Sequence, residues 1–557
     1  MDIGELLDYK PPQALKRPVE NEDEDDENER TRKMRRIARA KANKMTRSAS
    51  PTPSIQTLDQ ITDEEKAEIL KFVETEQTQG EVVDETAIKK IVLNFEKRSL
   101  KNREMRIKFP DSPEKFMESE VELHETLQEM RILATAPDYY PLLVKLQIIP
   151  SILELLSHDN TDIAVATVEL LQELTDVDIL NESEEGAEAL IDALLEHQVI
   201  ALLVQNLERL DESVKEEADG VHNTLSIIEN LTELRPEITN EATKQGLLAW
   251  ILKRLKLKVP FDPNKLYASE LLSILLQDNE KNRTALGEID GIDTLLQQLA
   301  FYKRHDPNSA EEYELMENLF NCLCSSLMVV SNRDRFLKGE GLQLMNLMLR
   351  EKKTSRNGSL KVLDYAMSGL HGKDNCNKFV DILGLRTIFP LFMKTPKKNR
   401  KRMLSTEEHE EHVCSIIASM LRNCRGSQRQ RLVSKFTEND HEKVDRLLEL
   451  HFKYLEKVEA VDDLIEDNDE DEDAVYLKRL EGGLFTLQLV DYIIVEVCAA
   501  GPASIKQRVM QMLNLRGASL KTIRHIMREY AGNLGEEGDK DWRDQEQQHI
   551  LNLVDKF

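Results

Sequence analysis

The chain is poor in the features that mark several large classes of protein. Aromatic residues make up 5% of its 557 residues, which is low for an all-β fold. No apolar run approaches the roughly 18 residues that a membrane-spanning helix needs, and the N-terminus lacks the pattern of a signal peptide. The six cysteines show no pairing pattern, so we expect reduced and mostly buried thiols in an intracellular protein.

Motifs of catalysis and of metal binding are also missing. There is no Gly-rich phosphate loop, no nucleophile elbow and no His-Glu-x-x-His pattern. His409, His412 and Cys414 have a spacing that could bind a metal ion, but they lack a clear fourth ligand. We therefore interpret His409 and His412 as exposed histidines at a capping turn. Cys322 and Cys324 lie in an apolar helix and are interpreted as core residues. We therefore predict a protein without catalytic activity, metal or other cofactor.

What the chain does contain is a helical pattern that recurs. Between Leu146 and Thr175, two apolar stripes at the i, i+3, i+4, i+7 spacing flank a short polar break, as in two amphipathic helices joined by a turn. Related phrases return at intervals of about 43 to 51 residues, close to the period of armadillo and HEAT arrays. Their apolar anchors are Ile149, Ile200, Leu248, Ile292, Leu342 and Leu385. The pattern predicts an all-α fold, a right-handed α-solenoid of the armadillo/HEAT type.

Two further features accompany the anchors. Gly291, Gly341 and Gly384 each precede an anchor, where we expect a tight turn with positive φ. Short polar phrases at 279–283, 331–335 and 374–378 each precede a helix that leads to one of these glycines. Agreement of both features with the anchors supports a solenoid over unrelated helices.

Composition outside the repeats predicts the remaining organisation. Residues 1–58 hold charge blocks and Ser/Pro tracts and are expected to be a disordered tail. We expect a helical cap at 59–122, repeats at 123–436, a helix with an acidic linker at 437–473 and a C-terminal helical region at 474–557. The last region either caps the array or serves as a docking or self-association face.

The tail contains two basic clusters separated by twelve residues, an arrangement that resembles a bipartite nuclear localisation signal. The residues of this predicted signal are Lys16, Arg17, Arg30, Arg32, Lys33, Arg35 and Arg36. Importin grooves hold extended Lys and Arg side chains against acidic residues and indole faces, so we predict a nuclear protein with importin-α as its import receptor. Ser50 and Thr52, each followed by Pro, are candidate phosphorylation sites.

A second basic segment, Lys394 to Arg402, falls where a loop is expected. A solvated loop is the favoured interpretation. A second localisation signal, or a contact for acidic protein or RNA phosphate, remains open.

The formal net charge of −28 repels nucleic-acid backbones and attracts basic segments. In armadillo arrays the third helix of each repeat lines a groove. This chain's own repeat register places the following residues there: Glu169 and Glu173, Ser226 and Asn230 with Glu229 beside it, Glu270 and Ile274, Cys322 and Ser326, and Tyr365 and Gly369. The carboxylates predict an acidic groove for basic peptides, and the alternative is a solvated helix face. The Trp/Asn ladder of importin-α receptors is absent from these positions.

Four phrases of the chain are informative together: Asp2-Ile-Gly-Glu-Leu-Leu with the basic clusters, Pro137-Asp-Tyr-Tyr-Pro141, Asn264-Lys-Leu-Tyr-Ala268-Ser-Glu-Leu-Leu272 and Leu421-Arg-Asn-Cys424. They resemble the beta-catenin-like family of nuclear armadillo proteins. The resemblance covers essentially the whole chain. It implies a scaffold of the pre-mRNA splicing machinery, associated with the nineteen complex, that binds localisation-signal-like segments. The implied partners are splicing factors such as the cell-division-cycle-five-like protein, activation-induced deaminase and a second copy of the chain.

Other functions compete with this hypothesis. An importin-α-like transport adaptor would use Arg30 to Arg47 as its importin-β-binding arm, but it should carry the Trp/Asn ladder. An adhesion or signalling armadillo protein usually has a basic groove, and an enzyme would need a catalytic constellation. We predict a nuclear protein-binding scaffold that contacts neither nucleic acid directly nor a membrane.

Overall fold

The computed structural model describes residues 84–351, 353–395, 405–465, 472–534 and 540–557. The chain divides into two compact units, residues 9–88 and the remainder, and only 84–88 of the first unit are described. The predicted localisation signal, Ser50 and Thr52 therefore lie outside the described residues. Residues 396–402 of the second basic segment also lie outside the described residues.

Every regular element in the described ranges is helical, which confirms the predicted all-α class. The N-terminal helices are α1 Glu85–Lys108, α2 Met117–Met130, α3 Tyr140–Lys145, α4 Ile148–Glu154 and α5 Thr161–Leu174. Those of the next two repeats are α6 Val177–Leu180, α7 Glu184–Glu196, α8 Val199–Leu207, α9 Lys215–Leu234, α10 Ile238–Lys244, α11 Leu247–Lys256 and α12 Pro263–Leu276.

The array continues with α13 Glu280–Glu288, α14 Gly291–Leu299, α15 Ala310–Ser326, α16 Val330–Lys338, α17 Gly341–Glu351, α18 Arg356–Met367, α19 Lys373–Asp381, α20 Leu385–Met393, α21 Thr406–Asn423 and α22 Gly426–Ser434. The C-terminal helices are α23 Glu442–Ile465, α24 Glu472–Arg479, α25 Phe485–Ala500, α26 Ala503–Leu515, α27 Leu520–Gly532 and α28 Lys540–Lys556. A π turn at Leu480–Leu484 joins α24 to α25.

The helices recur in groups of three, and all six predicted anchors are buried on the second helix of a group. The third helices are α5, α9, α12, α15, α18 and α21, and each packs against the next. An amphipathic helix cannot bury its apolar stripe alone, so neighbouring repeats bury one another's stripes in a continuous core. The predicted α-solenoid is confirmed.

Helix α5 illustrates how the sequence produces one of these elements. The side chain of Asn160 accepts a hydrogen bond from the backbone N–H of Asp162 at 3.0 Å and caps the first turn. Ile163, Ala166 and Leu170 recur at helical spacing and are buried with the rest of the predicted stripe. The cap and the stripe together fix where the helix begins and which side enters the core.

The recurring polar phrases tie each short first helix to the end of the preceding third helix. Buried Asn282 donates to the carbonyl oxygen of Leu275 at 2.8 Å, and buried Asn332 donates to that of Ser326 at 3.1 Å. Asn375 makes the equivalent bond in the next repeat. The last carbonyl groups of a helix have no partner within it, so a buried helix end needs donors of this kind.

The prediction of positive φ at the glycines before the anchors is wrong for Gly291, Gly341 and Gly384. Positive φ occurs instead at the preceding residues, which are Asp290, Glu340 and Leu383. Glycine is required there by close packing. A Cβ atom on Gly341 would lie 2.3 Å from the buried ring of Phe336, which projects from the first helix of the same repeat. The turn is therefore tight because two helices approach each other closely, and a side chain would separate them.

One helical stretch, residues 473–500, is long and apolar enough to cross a membrane by length and composition. The sequence analysis did not expect such a stretch. Of the 18 most apolar consecutive residues of this stretch, 72% are buried inside the protein. They are buried because α25 packs against α21, α23, α27 and α28. A second candidate for a membrane-crossing helix exists in the described residues only if two helical segments, Pro137–Lys145 and Ile148–Ser157, are counted as one span although they are bent by 87°. The burial of α25 accounts for its apolar character.

Candidate functional site

One side of each third helix remains accessible while the opposite side packs into the array. On α5 this side carries Glu169 and Glu173, whose side chains are 32% and 31% exposed. Residues four apart lie on the same side of a helix, so the two carboxylates are neighbours.

The accessible side of the third helices is rich in carboxylates, which we call the acidic face. They are Glu169, Glu173, Glu229, Glu233, Glu270, Glu314, Glu317, Asp364, Glu408 and Glu411. The Lys and Arg residues of the third helices that lie outside the core are Lys215, Lys361 and Arg422. Negative charge therefore dominates this side from α5 to α21.

Side-chain hydrogen bonds between successive third helices show that these residues lie side by side. The hydroxyl of Tyr267 on α12 donates to Glu229 on α9 at 2.5 Å. Lys361 on α18 donates to Asn321 on α15 at 3.4 Å. The acidic face is thus formed by neighbouring helices and does not consist of isolated side chains.

At the N-terminal end, Arg131 reaches the two carboxylates of α5. Its guanidinium donates to Glu169 at 3.2 Å and also to Glu173. The hydrogen bond with Glu173 raises the pKa of Arg131, and burial opposes this shift. A cation from the segment after α2 therefore offsets part of the negative charge that the sequence places here.

The middle of the face contains the other predicted residues. Ser226, Glu229 and Asn230 lie on α9 and Glu270 lies on α12, all of them partly exposed. The ring of His222 lies 4.8 Å from that of Tyr267, so aromatic packing accompanies the carboxylates at this point.

The register predicted for α15 and α18 differs from the structure. Cys322 and Ser326 are fully buried, so the prediction that they line a groove is wrong. The accessible residues are Asn321 and Ser325, one position earlier. On α18, Gly369 lies beyond the last helical residue, Met367. The connection between second and third helices changes length from repeat to repeat, so a spacing copied along the chain slips. The burial of Cys322 and Cys324 confirms the prediction that they are core residues.

The sequence analysis missed the carboxylates of the C-terminal half of the face, on α15, α18 and α21. Burial raises the pKa of Glu317, and it also raises that of Glu411. The pair Glu314 and Glu317, three residues apart, follows the cap Ser309, which accepts a hydrogen bond from the backbone of Glu312. Acidic residues at helical spacing after a Ser cap were the signal that could have located them.

Asp364 is the centre of a small polar cluster between α18 and α21. His412 lies 2.8 Å from one of its oxygens, and Ser415 donates to the other. A nucleophilic triad requires His between Ser and Asp, and here both side chains bond to the carboxylate. The cluster therefore joins two repeats and does not activate a nucleophile. The interpretation of His409 and His412 as exposed histidines is wrong, because His409 is buried and His412 is mostly buried in this cluster. In the described residues, no group of three or more His, Cys, Asp or Glu side chains could hold a metal ion.

Stacked groups of three helices with an accessible third helix define this protein as an armadillo-type α-solenoid. The chain belongs to the family described as catenin-beta-like, Arm-motif containing nuclear, whose model matches residues 67–528. This confirms the family resemblance drawn from the sequence phrases.

Alignments with relatives of the chain cover most or all of its length. Beta-catenin-like protein 1 of Rattus norvegicus is 58% identical over an alignment of 571 positions, which covers 100% of both chains. Beta-catenin-like protein 1 of Homo sapiens is 63% identical over 488 residues, covering 85% of this chain and 86% of that protein. A homolog from Schizosaccharomyces pombe is 31% identical over 479 residues, covering 84% of this chain and 83% of that one.

Proposed function

We propose that this protein is a non-enzymatic nuclear scaffold of the pre-mRNA splicing machinery that binds basic segments of partner proteins along the acidic face. The observation that supports it is the succession of carboxylates on the accessible side of neighbouring third helices. Membership in a family described as nuclear supports the location. Splicing factors of the nineteen complex, such as the cell-division-cycle-five-like protein, and activation-induced deaminase are the partners that the resemblance implies.

The physical basis of the binding is electrostatic. Carboxylates that are partly withdrawn from water interact more strongly with a Lys or Arg than fully solvated ones, since the local dielectric constant is lower. A row of them raises the association rate of a basic segment and disfavours acidic partners. Both effects weaken as salt increases.

The importin-α alternative lacks a supporting observation. The chain has two tryptophans, Trp250 and Trp542, and they lie on α11 and α28. Without Trp slots on the third helices, this face would hold a basic segment by charge with less control of its register.

The test is the affinity of the full chain for a synthetic Lys/Arg-rich peptide at low salt. Glu270→Lys, Glu314→Lys and Glu408→Lys, introduced together, should weaken binding by about tenfold or more, as close charge pairs at interfaces do. The matched control is Glu188→Lys, Glu196→Lys and Glu208→Lys, three exposed residues outside the third helices. Equal affinities of wild type and the first variant would contradict the proposal.

The nuclear location is tested separately. Deletion of residues 16–47 should shift the protein toward the cytoplasm, as observed with a fluorescent fusion. Full nuclear retention would argue against this signal and in favour of the segment at 394–402.

A further inference from the structure

A cavity of about 390 Å³ lies at the N-terminal end of the acidic face, between α2, α5 and α9. Its walls include Met117 and Val121 of α2, whose side chains are 58% and 54% exposed. Its floor is formed by Ile163, Val165 and Ala166 of α5, all buried. We call this cavity the apolar socket.

The rim of the socket is acidic. Its carboxylates are Glu120, Asp162, Glu169 and Glu216. His124 and Asn160 also line the cavity, and neither Lys nor Arg is among the lining residues. Glu120 is fixed in place, because Asn160 donates to it at 3.0 Å and Arg106 pairs with it. Asp162 and Glu216 are exposed. Glu169 pairs with Arg131, so the exposed Asp162 and Glu216 are the rim carboxylates best placed to attract a cation beside the apolar centre.

The socket differs from ordinary exposed apolar residues. Met117 and Val121 are four residues apart, so both occupy the same side of α2 and face the same opening. An exposed apolar patch next to a concavity is typical of an interaction site, whereas single exposed apolar residues need no explanation.

We propose that the apolar socket takes a Leu, Ile or Met side chain from a partner-protein segment in which Lys or Arg flanks that residue. This inference rests on the proposed function and gives the same face a point of specificity. Charge complementarity selects the occupant, since the rim is acidic and the segment basic. A second copy of the chain, whose own residues 30–47 are basic, is the other occupant, and the sedimentation of the protein tests it.

The socket would supply the register that charge alone does not. A row of carboxylates binds a basic segment in several offsets with similar energy. One apolar side chain that must enter one cavity restricts the segment to a single offset, because any other offset leaves that side chain in water.

The experiment compares two synthetic peptides that are identical except for one central residue, Leu or Ala, flanked by Lys and Arg. Wild type should bind the Leu peptide about tenfold more tightly, equivalent to ~1.4 kcal/mol. The variant with Met117→Ser and Val121→Ser should lose this preference and keep its affinity for the Ala peptide. Both residues are exposed, so the variant should retain the fold, which its thermal unfolding checks.

The matched control is Met328→Ser with Val330→Ser, the same two residue types, exposed by 52% and 42% outside the socket. It should keep the preference. Equal affinity of wild type for the two peptides overturns the socket and leaves the proposed function standing. Failure to bind either peptide overturns the proposed function and the socket with it. A socket variant that changes sedimentation but not the peptide preference shows a second copy as the occupant and also overturns the inference.

Discussion

Arg422 and Glu546 lie 124 residues apart in sequence and form a hydrogen-bonded ion pair with an Nε–Oε1 distance of 2.6 Å. Arg422 also donates to the hydroxyl of Tyr530 at 3.2 Å and lies 4.8 Å from the ring centroid of Tyr492. One guanidinium on the last repeat thus contacts three of the C-terminal helices. This contact holds α28 against the end of the array.

Replacement of Arg422 by Met should weaken the attachment of α28 by about 3 kcal/mol, because it leaves the mostly buried carboxylate of Glu546 without its cation. Hydrogen exchange of α28 is the appropriate measurement, since a repeat array need not unfold in one step. The double variant Arg422→Met with Glu546→Gln should recover part of the loss. Equal protection of α28 in wild type and the single variant would show that the pair does not hold the helix.

A second contact should make the attachment of α28 depend on pH. His549 Nε2 lies 2.8 Å from Oε1 of Glu496, which is almost fully buried. The hydrogen bond with Glu496 raises the pKa of His549 above 6.5. Burial raises the pKa of Glu496, but the hydrogen bond with His549 and the charge of Arg429 outweigh it, so its pKa is below 4.5.

The raised pKa of His549 means that its contribution is complete below pH 6.5 and is lost as pH rises through that raised value. The lowered pKa of Glu496 means that its contribution is present above pH 4.5 and is lost as pH falls through the lowered value. Protection of α28 should therefore be greatest between these two limits. His549→Gln should remove the decline at higher pH, whereas His371→Gln, at an exposed residue elsewhere, should leave it. A decline that persists in His549→Gln would assign it to another group.

The repeats could be predicted from sequence because their signal is local. Ile292 and Leu342 recur at one spacing, and apolar residues at helical intervals require neighbouring helices. The phrase that contains Asn332 is local too, and its function follows from the unpaired carbonyl groups at any helix end. These features need only a few neighbouring residues to be recognised.

Other parts depend on how helices meet in space. The close approach of Gly341 to Phe336 reflects the distance between two helices, which no spacing of glycines reveals. The pairing of Arg131 with Glu173 joins residues 42 apart from different helices. The accessible position of Asn321 depends on the length of the preceding connection. The acidic face was therefore predicted in its first half and missed in its second.

Gly341→Ala should destabilise the protein by about 1–3 kcal/mol, because its new methyl group must displace the buried ring of Phe336. The control Gly532→Ala places a methyl group in open space near the end of α27 and should have little effect. Thermal unfolding measures both. If the double variant Gly341→Ala with Phe336→Leu is less destabilised than Gly341→Ala alone, the effect arises from this contact. Equal unfolding of Gly341→Ala and wild type would refute the packing explanation.

Arg131→Gln should increase the affinity of the acidic face for a Lys/Arg-rich peptide. The substitution removes the cation that pairs with Glu169 and Glu173, so both carboxylates become available to the peptide. Partly exposed ion pairs contribute about 0.2–1 kcal/mol each, so we expect a gain of about two- to fivefold at low salt and a smaller one at high salt.

The control for this variant is Arg431→Gln, which breaks the pair between Arg431 on α22 and Asp381 on α19, neither of which is a third helix. It removes the same charge from the chain, so a gain that arises only from net charge would be equal in both variants. A gain confined to Arg131→Gln assigns the effect to the two carboxylates of α5. Weaker binding by Arg131→Gln would instead show that Arg131 holds these carboxylates in the arrangement the peptide needs, because the pair would then act by positioning and not by competing with the peptide.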